Sequence, residues 1–363
     1  MPTPPRVSAI VSTFQSQRFI RGCLEDLFDQ TLFHRGELEI LVIDSASPQN
    51  EGAIVAEFTA RAPDRVRYLR TPTRETVYGA WNRGVALARA PYLTNTNTDD
   101  RHHPHCLQRL ADALDAHPAA SGAYADSIVT RDENVPFAQA QPFKTLAWPD
   151  FDRDCLFEFC YLGPHPLWRK SLHQRYGLFD AHLRSAGDYE FWLRLAAAGE
   201  TFLHVTEPLS LYLENPQSIS LSNIDLSWEE SEAARDRHWN PAWGVPPKFR
   251  HAQPFYERLA QRIAALPAGS RIALYGAGKH TRKMLPLFRQ AAGSHAQLAG
   301  ILDDHPGDRR DIDGLPVIPA SDWRTLSPAA IIVSSDAHES AMAAKLATIV
   351  TDNIKIWRVY NQE

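Results

Sequence analysis

Four short apolar runs near the amino terminus restrict the fold more than anything else in the chain. They are Val7 to Thr13 (VSAIVST), Glu39 to Asp44 (EILVID), Val66 to Arg70 (VRYLR) and the run opening APYLTNTNTDD, Ala90 to Asp100. Each has the length of a strand, and helical patterning fills the gaps, at Ile20 to Gln30, about Asn50 to Ala62 and Tyr78 to Ala90. Strands alternating with helices predict a mostly parallel sheet covered on both faces. The strand ends Thr13-Phe14, Asp44-Ser45 and Asn97 to Asp100 are then expected to converge on one edge, the carboxyl edge where open α/β folds bind ligands.

The fourth run ends on two adjacent acids, Asp99 and Asp100. Oxygen donors suit Mn²⁺ or Mg²⁺, which sit on one or two carboxylates while substrate phosphates complete the shell, so a nucleoside diphosphate fits. Capping of a helix beginning near Pro104 is the competing role for the pair, and on this stretch alone the two weigh equally.

Composition narrows the function classes. A length of 363 residues suggests two domains, or one large domain with an appendage. A net charge of −5 provides no basic field for a nucleic acid polymer. The four cysteines, Cys23, Cys106, Cys155 and Cys160, form no CxxC pair and read as free thiols in a reducing compartment. MPTPPR leads straight into a strand, and no apolar run is long enough to span a bilayer. A cytoplasmic location follows as the expectation, with peripheral contact to the inner membrane left open.

Further along, SGAYADSI (Ser121 to Ile128) reads as another strand, followed by an irregular aromatic stretch, Val135 to Pro166, of the kind that forms substrate-side loops or a local apolar cluster. In RSAGDYEFWLR, Arg184 to Arg194, Asp188 and Glu190 stand in the first turn of an apolar-faced helix, where the macrodipole favours anions and one carboxylate is available as a general base. His102, His103 and His105 lack the i, i+4 spacing of a helical metal pair and are expected to line a loop beside the acids.

The series VSAIVSTF, EILVIDSAS, AWNRGVALARAPYLTNTNTDD and GDYEFWLR resembles the GT-A glycosyltransferases, specifically the large inverting family 2 type of bacterial sugar transferases, over roughly residues 7 to 215. The resemblance implies that Thr13, Phe14 and Asp44 contact the nucleoside, with Asp44 accepting from the base. It puts Arg74 and Asn82 near the donor diphosphate, gives Asn97 and Asp99 to the donor, assigns Asp99 and Asp100 to the ribose and metal, and makes Asp188 the base. Asn97 stands where many members carry the first acid of a DxD motif; an amide coordinates without charge, which moves weight for the metal to Asp100. Gly187 stands where an acid is common, and Leu213 and Asn215 replace basic and His positions of the family's closing motif. The implied reaction is metal-dependent transfer of a sugar from a UDP, GDP or dTDP donor to a glycan, lipid-linked or protein hydroxyl, in bacterial surface glycan synthesis.

The carboxy-terminal sequence RIALYGAGKHT, from Arg271, runs a strand into Gly276 and Gly278, and LAGILDD supplies a second strand ending at Asp303 and Asp304. This is the opening of a Rossmann-like βαβ unit, with Thr281 in place of a third glycine and Asp303 lying 25 residues beyond Gly278. Gly276, Gly278 and Asp303 are therefore candidate nucleotide-binding residues, or turn residues kept for their backbone geometry. The expected organisation is a GT-A domain over 1–225, a helical linker over 226–268 with Trp228, Trp239 and Trp243, and a smaller Rossmann-like α/β domain over 269–363. The alternative to a transferase is a non-catalytic nucleotide- or sugar-nucleotide-binding protein acting through that last domain.

Overall fold

The computed structural model describes residues 4–244, 246–250, 252–307, 310–335, 338–351 and 354–360. The chain divides into two compact units, 1–244 and 245–363.

The first unit is built on strands β1 (Val7–Thr13), β2 (Leu38–Asp44), β3 (Val66–Arg70), β4 (Tyr92–Thr96), β5 (Arg101–His102), β6 (Gly122–Thr130), β7 (Lys144–Leu146), β8 (Leu167–Arg169) and β9 (Phe202–Leu213). Their order is β3-β2-β1-β4-β8-β6-β9-β5, with β7 on β6. The four amino-terminal strands are parallel, as are β6 and β9. Between these two parallel sets β8 runs antiparallel to both neighbours, Trp168 pairing with Leu93 on one side and Gly122 on the other. The sheet is thus mixed, its two parallel sets joined through the antiparallel β8.

Residues of β1 alternate between two cores, as the strand's two-residue period requires. Val7, Ala9 and Val11 pack with Ile20, Leu24 and Leu27 of helix Gln17–Phe28 and with Leu107, Leu110 and Leu114 of helix Cys106–Ala116. Ile10 faces the other layer with Tyr78, Trp81 and Val85 of helix Val77–Leu87 and Phe191, Trp192 and Leu195 of helix Gly187–Ala197. Trp239 and Trp243, assigned to a linker by sequence, pack in this second core, with both rings edge-on to Phe157.

One member of this core titrates. His173 accepts from Trp168 Nε1 at 2.9 Å through Nε2, so its proton is on Nδ1, 3.1 Å from the Gly177 carbonyl. Its ring stacks on Phe191 at 4.8 Å. Burial lowers its pKa to about 4, so as pH falls from about 6.5 to 4 the unfolded chain takes up a proton that the folded chain refuses. Stability is lost in that window, by about 3 kcal/mol for a shift of this size. In His173→Gln, where an amide oxygen still accepts from Trp168, the difference in unfolding free energy between pH 7 and pH 4.5 is expected to shrink by about that amount. An unchanged pH slope in urea titrations would contradict this assignment.

The second unit has strands β10 (Ser270–Tyr275), β11 (Ala296–Asp303), β12 (Asp311–Ile312), β13 (Leu315–Pro319), β14 (Ala330–Val333) and β15 (Lys355–Arg358), ordered β12-β13-β11-β10-β14-β15. All pairs are parallel except β12 with β13. Helices Gln253–Ala264 and Lys279–Ala292 bury Leu259, Ile263, Leu285 and Phe288 on one face, while Trp323 and Leu346 cover the other. β10 lies between β11 and β14, so its carboxyl end is the switch point of a doubly wound sheet.

Candidate active site

Register brings the expected strand ends together. Thr13 pairs with Asp44 across β1 and β2, and Val11 pairs with Thr96 across β1 and β4, so the turn after Thr96 adjoins Thr13. The Arg74 guanidinium lies over the Phe14 ring at 4.0 Å. Glu75 N donates to Ser45 Oγ at 2.6 Å, and Ser45 Oγ donates to the Glu75 carbonyl at 3.0 Å, fastening the Arg74 loop to the end of β2.

Asp44 is fully buried and both of its oxygens are engaged. Oδ1 accepts from Ser47 N at 2.7 Å, and Oδ2 accepts from the Tyr68 hydroxyl and Arg70 Nη1, each at 2.5 Å. A base approaching Asp44 therefore also meets Tyr68 and Arg70, neither of which the sequence reading singled out. The signal was positional: Arg70 is the register partner of Asp44 on the adjacent parallel strand. The Asn82 amide donates to the Phe179 carbonyl at 2.9 Å and accepts from Phe179 N at 3.0 Å, a cross-link within the fold.

At the acid pair the two carboxylates differ. Asp100 is buried; its Oδ2 accepts from Asn97 Nδ2 at 2.9 Å and its Oδ1 from Leu213 N at 2.9 Å. Burial, and then the charge of Asp99, raise its pKa to about 7. Asp99 is only partly buried, and its Oδ2 accepts from Asn215 Nδ2 at 3.1 Å. Leu213 and Asn215, the two departures from the family's closing motif, thus hold the acids in place, one through its backbone and one through its amide.

Behind the acids lies a buried cation. Arg101 donates to the carbonyls of Thr98 (2.9 Å) and Asp100 (2.6 Å) and to Asn134 Oδ1 (2.8 Å), pinning the turn that carries Asp99. Gly22 makes the room: a Cβ there would stand 2.4 Å from Arg101 Nη2. A glycine inside an amphipathic helix was the available clue. His102 is buried, bonded through Nδ1 to Asp26 Oδ2 at 2.7 Å with its ring tilted against His165 at 3.8 Å between centroids, so it does not line an open loop.

The donor set fits a hard cation that also binds substrate. Asp99 and the Asn97 amide oxygen supply oxygen donors, and among the described residues no group of three His, Cys, Asp or Glu side chains is placed to hold a metal alone. Phosphate oxygens would have to complete the shell, as is usual for Mg²⁺ and Mn²⁺.

Asp188 stands at the head of helix Gly187–Ala197, partly open to solvent. Glu230 of helix Ile224–His238 accepts from the backbone N–H groups of Arg184, Ser185 and Ala186 at 2.8–3.1 Å and so fixes the turn leading into Asp188. Asp188 Oδ1 accepts from the Tyr78 hydroxyl at 3.1 Å. Burial raises its pKa, against the hydrogen bonds from Tyr189 N and Tyr78. Gly187 is dictated by packing, since a Cβ there would lie 2.6 Å from the Tyr78 ring; an acidic side chain at 187 has no space. Glu190 instead pairs inside the fold with Arg194 (2.8 Å) and His238 (2.7 Å).

Residues 8–162 match the sequence profile of the family described as "Glycosyl transferase family 2". The first unit carries a family 2 glycosyltransferase domain. Among relatives of this domain, the "Uncharacterized glycosyltransferase EpsJ" of Bacillus subtilis (strain 168) is 27% identical over 224 residues, 60% of this chain and 63% of that protein. The "O-antigen biosynthesis protein RfbC" of Myxococcus xanthus is 26% identical over 194 residues, 53% of this chain and 14% of that protein. The matches thus span less than two thirds of either relative. The S. aureus TarS 1-349 structure in complex with UDP overlaps with a TM-score of 0.49 at 18% identity, covering 72% of this chain and 81% of that one, a likeness too loose to carry an argument.

In the second unit Gly276, Gly278 and Asp303 do come together. Gly276 adopts φ +109°, and Ala277 N, in the turn between the glycines, donates to Asp303 Oδ2 at 2.7 Å. Thr281, fully buried, donates to the Gly276 carbonyl and lies 2.7 Å from Ser334 Oγ. A turn N–H of the kind that would bind a phosphate is thus closed by the chain's own carboxylate. Among the described residues of both units, no helix is long and apolar enough to cross a membrane.

Proposed function

We propose that the family 2 domain transfers a sugar from a nucleoside-diphosphate donor to a hydroxyl acceptor, with inversion, in the assembly of a surface glycan. The observation that carries this reading is the partly open, upward-shifted carboxylate of Asp188 at a rigidly held helix head, in a domain whose parallel strands bring Thr13 opposite Asp44 and Thr96 opposite Val11.

In this reading Asp44, with Tyr68 and Arg70, receives the base of the nucleoside, and Arg74 beside Phe14 offers its planar fork to phosphate oxygens. Asp99, with the Asn97 amide oxygen, would hold Mn²⁺ or Mg²⁺, while Asp100 serves to shape the turn. Bound there, the cation neutralises charge developing on the leaving diphosphate. Asp188 takes the proton from the acceptor hydroxyl as its oxygen attacks the anomeric carbon from the face opposite the leaving group. The relatives' printed names, a glycosyltransferase and an O-antigen biosynthesis protein, support a surface glycan as the acceptor.

The test is thermal stabilisation by UDP, GDP, dTDP and NAD, each with and without Mn²⁺. Ligand at a hundred times its Kd adds about 2.7 kcal/mol. A Mn²⁺-dependent shift with one nucleoside diphosphate is expected. A shift with NAD alone, insensitive to metal and lost in Gly276→Val, would move the function to the second unit.

A further inference from the structure

Tyr78 is the only side chain that hydrogen-bonds the Asp188 carboxylate among the described residues. It is 3% exposed, on the first turn of helix Val77–Leu87. Three contacts fix its ring: one against Gly187, an edge-on contact to Trp81 at 5.3 Å and a tilted contact to Phe179 at 6.4 Å. Burial, and then the charge of Asp188, hold the phenol well above its ordinary pKa, so it stays a donor. The same helix start is tied to the donor side, because Thr76 caps it and Glu75, one residue earlier, is bonded to Ser45.

We propose that Tyr78 is the positioning residue for Asp188: its hydroxyl donates to Oδ1 and so orients the carboxylate to receive the acceptor's proton. This rests on Asp188 being the base. A hydrogen bond to a charged acceptor favours the charged form, so the phenol opposes the desolvation that raises the Asp188 pKa. The backbone N–H groups of Tyr189 and Asp188 also favour the ionised form, and among the described side chains that role falls to Tyr78. From the aromatic loop comes the Cys160 thiol, which feels the Asp188 charge. From helix Ile224–His238, Glu230 is spent on the 184–186 backbone, and Arg235 donates to the Tyr189 hydroxyl at 3.0 Å.

The experiment titrates Asp188 directly. Protein labelled with [4-¹³C]aspartate is followed by carbon NMR from pH 4 to pH 9, with Asp188→Asn identifying the resonance, and release of nucleoside diphosphate from UDP-, GDP- and dTDP-sugars with Mn²⁺ is measured over the same range. In Tyr78→Phe, which deletes only the hydroxyl, the Asp188 midpoint is expected to rise by about half to one pH unit, and the acid limb of the rate profile to move with it. Much of the rate then returns at high pH, whereas a packing defect would lower it at every pH. An Asp188 midpoint that stays put or falls in a Tyr78→Phe protein of near-normal Tm overturns the inference. Should that variant lose its Tm, site-specific 3,5-difluorotyrosine at position 78, a stronger donor, must lower the midpoint instead, and a midpoint that does not fall overturns it equally. Failure of the base assignment is separable: Asp188→Asn would keep its activity whatever the titration showed.

Discussion

Asp188→Asn is expected to lower kcat for sugar transfer by about 10²- to 10⁴-fold, the usual contribution of a positioned general base. Asparagine keeps the shape and can still accept from Tyr78, so the fold and the donor affinity should survive while the proton acceptor is lost. Equal Tm shifts with donor in the two proteins, together with the lost rate, would place the defect in the chemical step. The wild-type profile follows from the same carboxylate. Asp188 works ionised, and burial sets its pKa above the ordinary aspartate value, so activity rises with pH through a limb displaced upward from that of an ordinary aspartate. That limb should vanish in Asp188→Asn. Retention of more than about a tenth of the rate would be inconsistent with a proton-transfer role of this size.

Asp99→Ala and Asp100→Ala are expected to fail in different ways. Asp99 is partly buried, with Oδ2 held by Asn215. Its removal should abolish Mn²⁺-dependent donor stabilisation and cost about 10³-fold in kcat/KM, the scale of several kcal/mol of charge stabilisation. Asp100 has both oxygens committed to Asn97 and Leu213 inside the fold. Its removal strands a buried Leu213 N–H and should cost about 1–3 kcal/mol of stability in the absence of any ligand. Urea unfolding of both variants, with Mn²⁺ binding measured calorimetrically in the presence of UDP, GDP or dTDP, separates them. If Asp100→Ala keeps its stability and loses the metal while Asp99→Ala keeps both, the cation belongs to Asp100, as the departure at Asn97 first suggested.

Much of this arrangement was legible without coordinates. The strands Val7–Thr13 and Leu38–Asp44 announce themselves because both faces are buried, which leaves mostly apolar runs, whereas Val66–Arg70 exposes Tyr68 and Arg70. The convergence of Thr13, Asp44 and Asn97 follows once such strands are parallel, since parallel strands put their carboxyl ends on one side. Asp188 was visible as a first-turn acid on an apolar-faced helix.

Other features had no local signal. Sequence moved weight for the metal to Asp100 because Asn97 replaces the first acid of a DxD motif; the Asn97 amide and the backbone N–H of Leu213, 113 residues away, engage both Asp100 oxygens. The resemblance puts Asn82 near the donor diphosphate, and nothing local announces its bonds to the backbone of Phe179, 97 residues on. Gly187 looked like the loss of an acid until the Tyr78 ring was found against it. The sequence by itself determined the elements, their carboxyl edge and the acids on it, because periodicity and chain direction are local properties. Only the tertiary structure decided which acids remain available for chemistry, because a carboxylate's hydrogen-bond partners and burial come from segments brought together by folding, and no spacing along the chain encodes them.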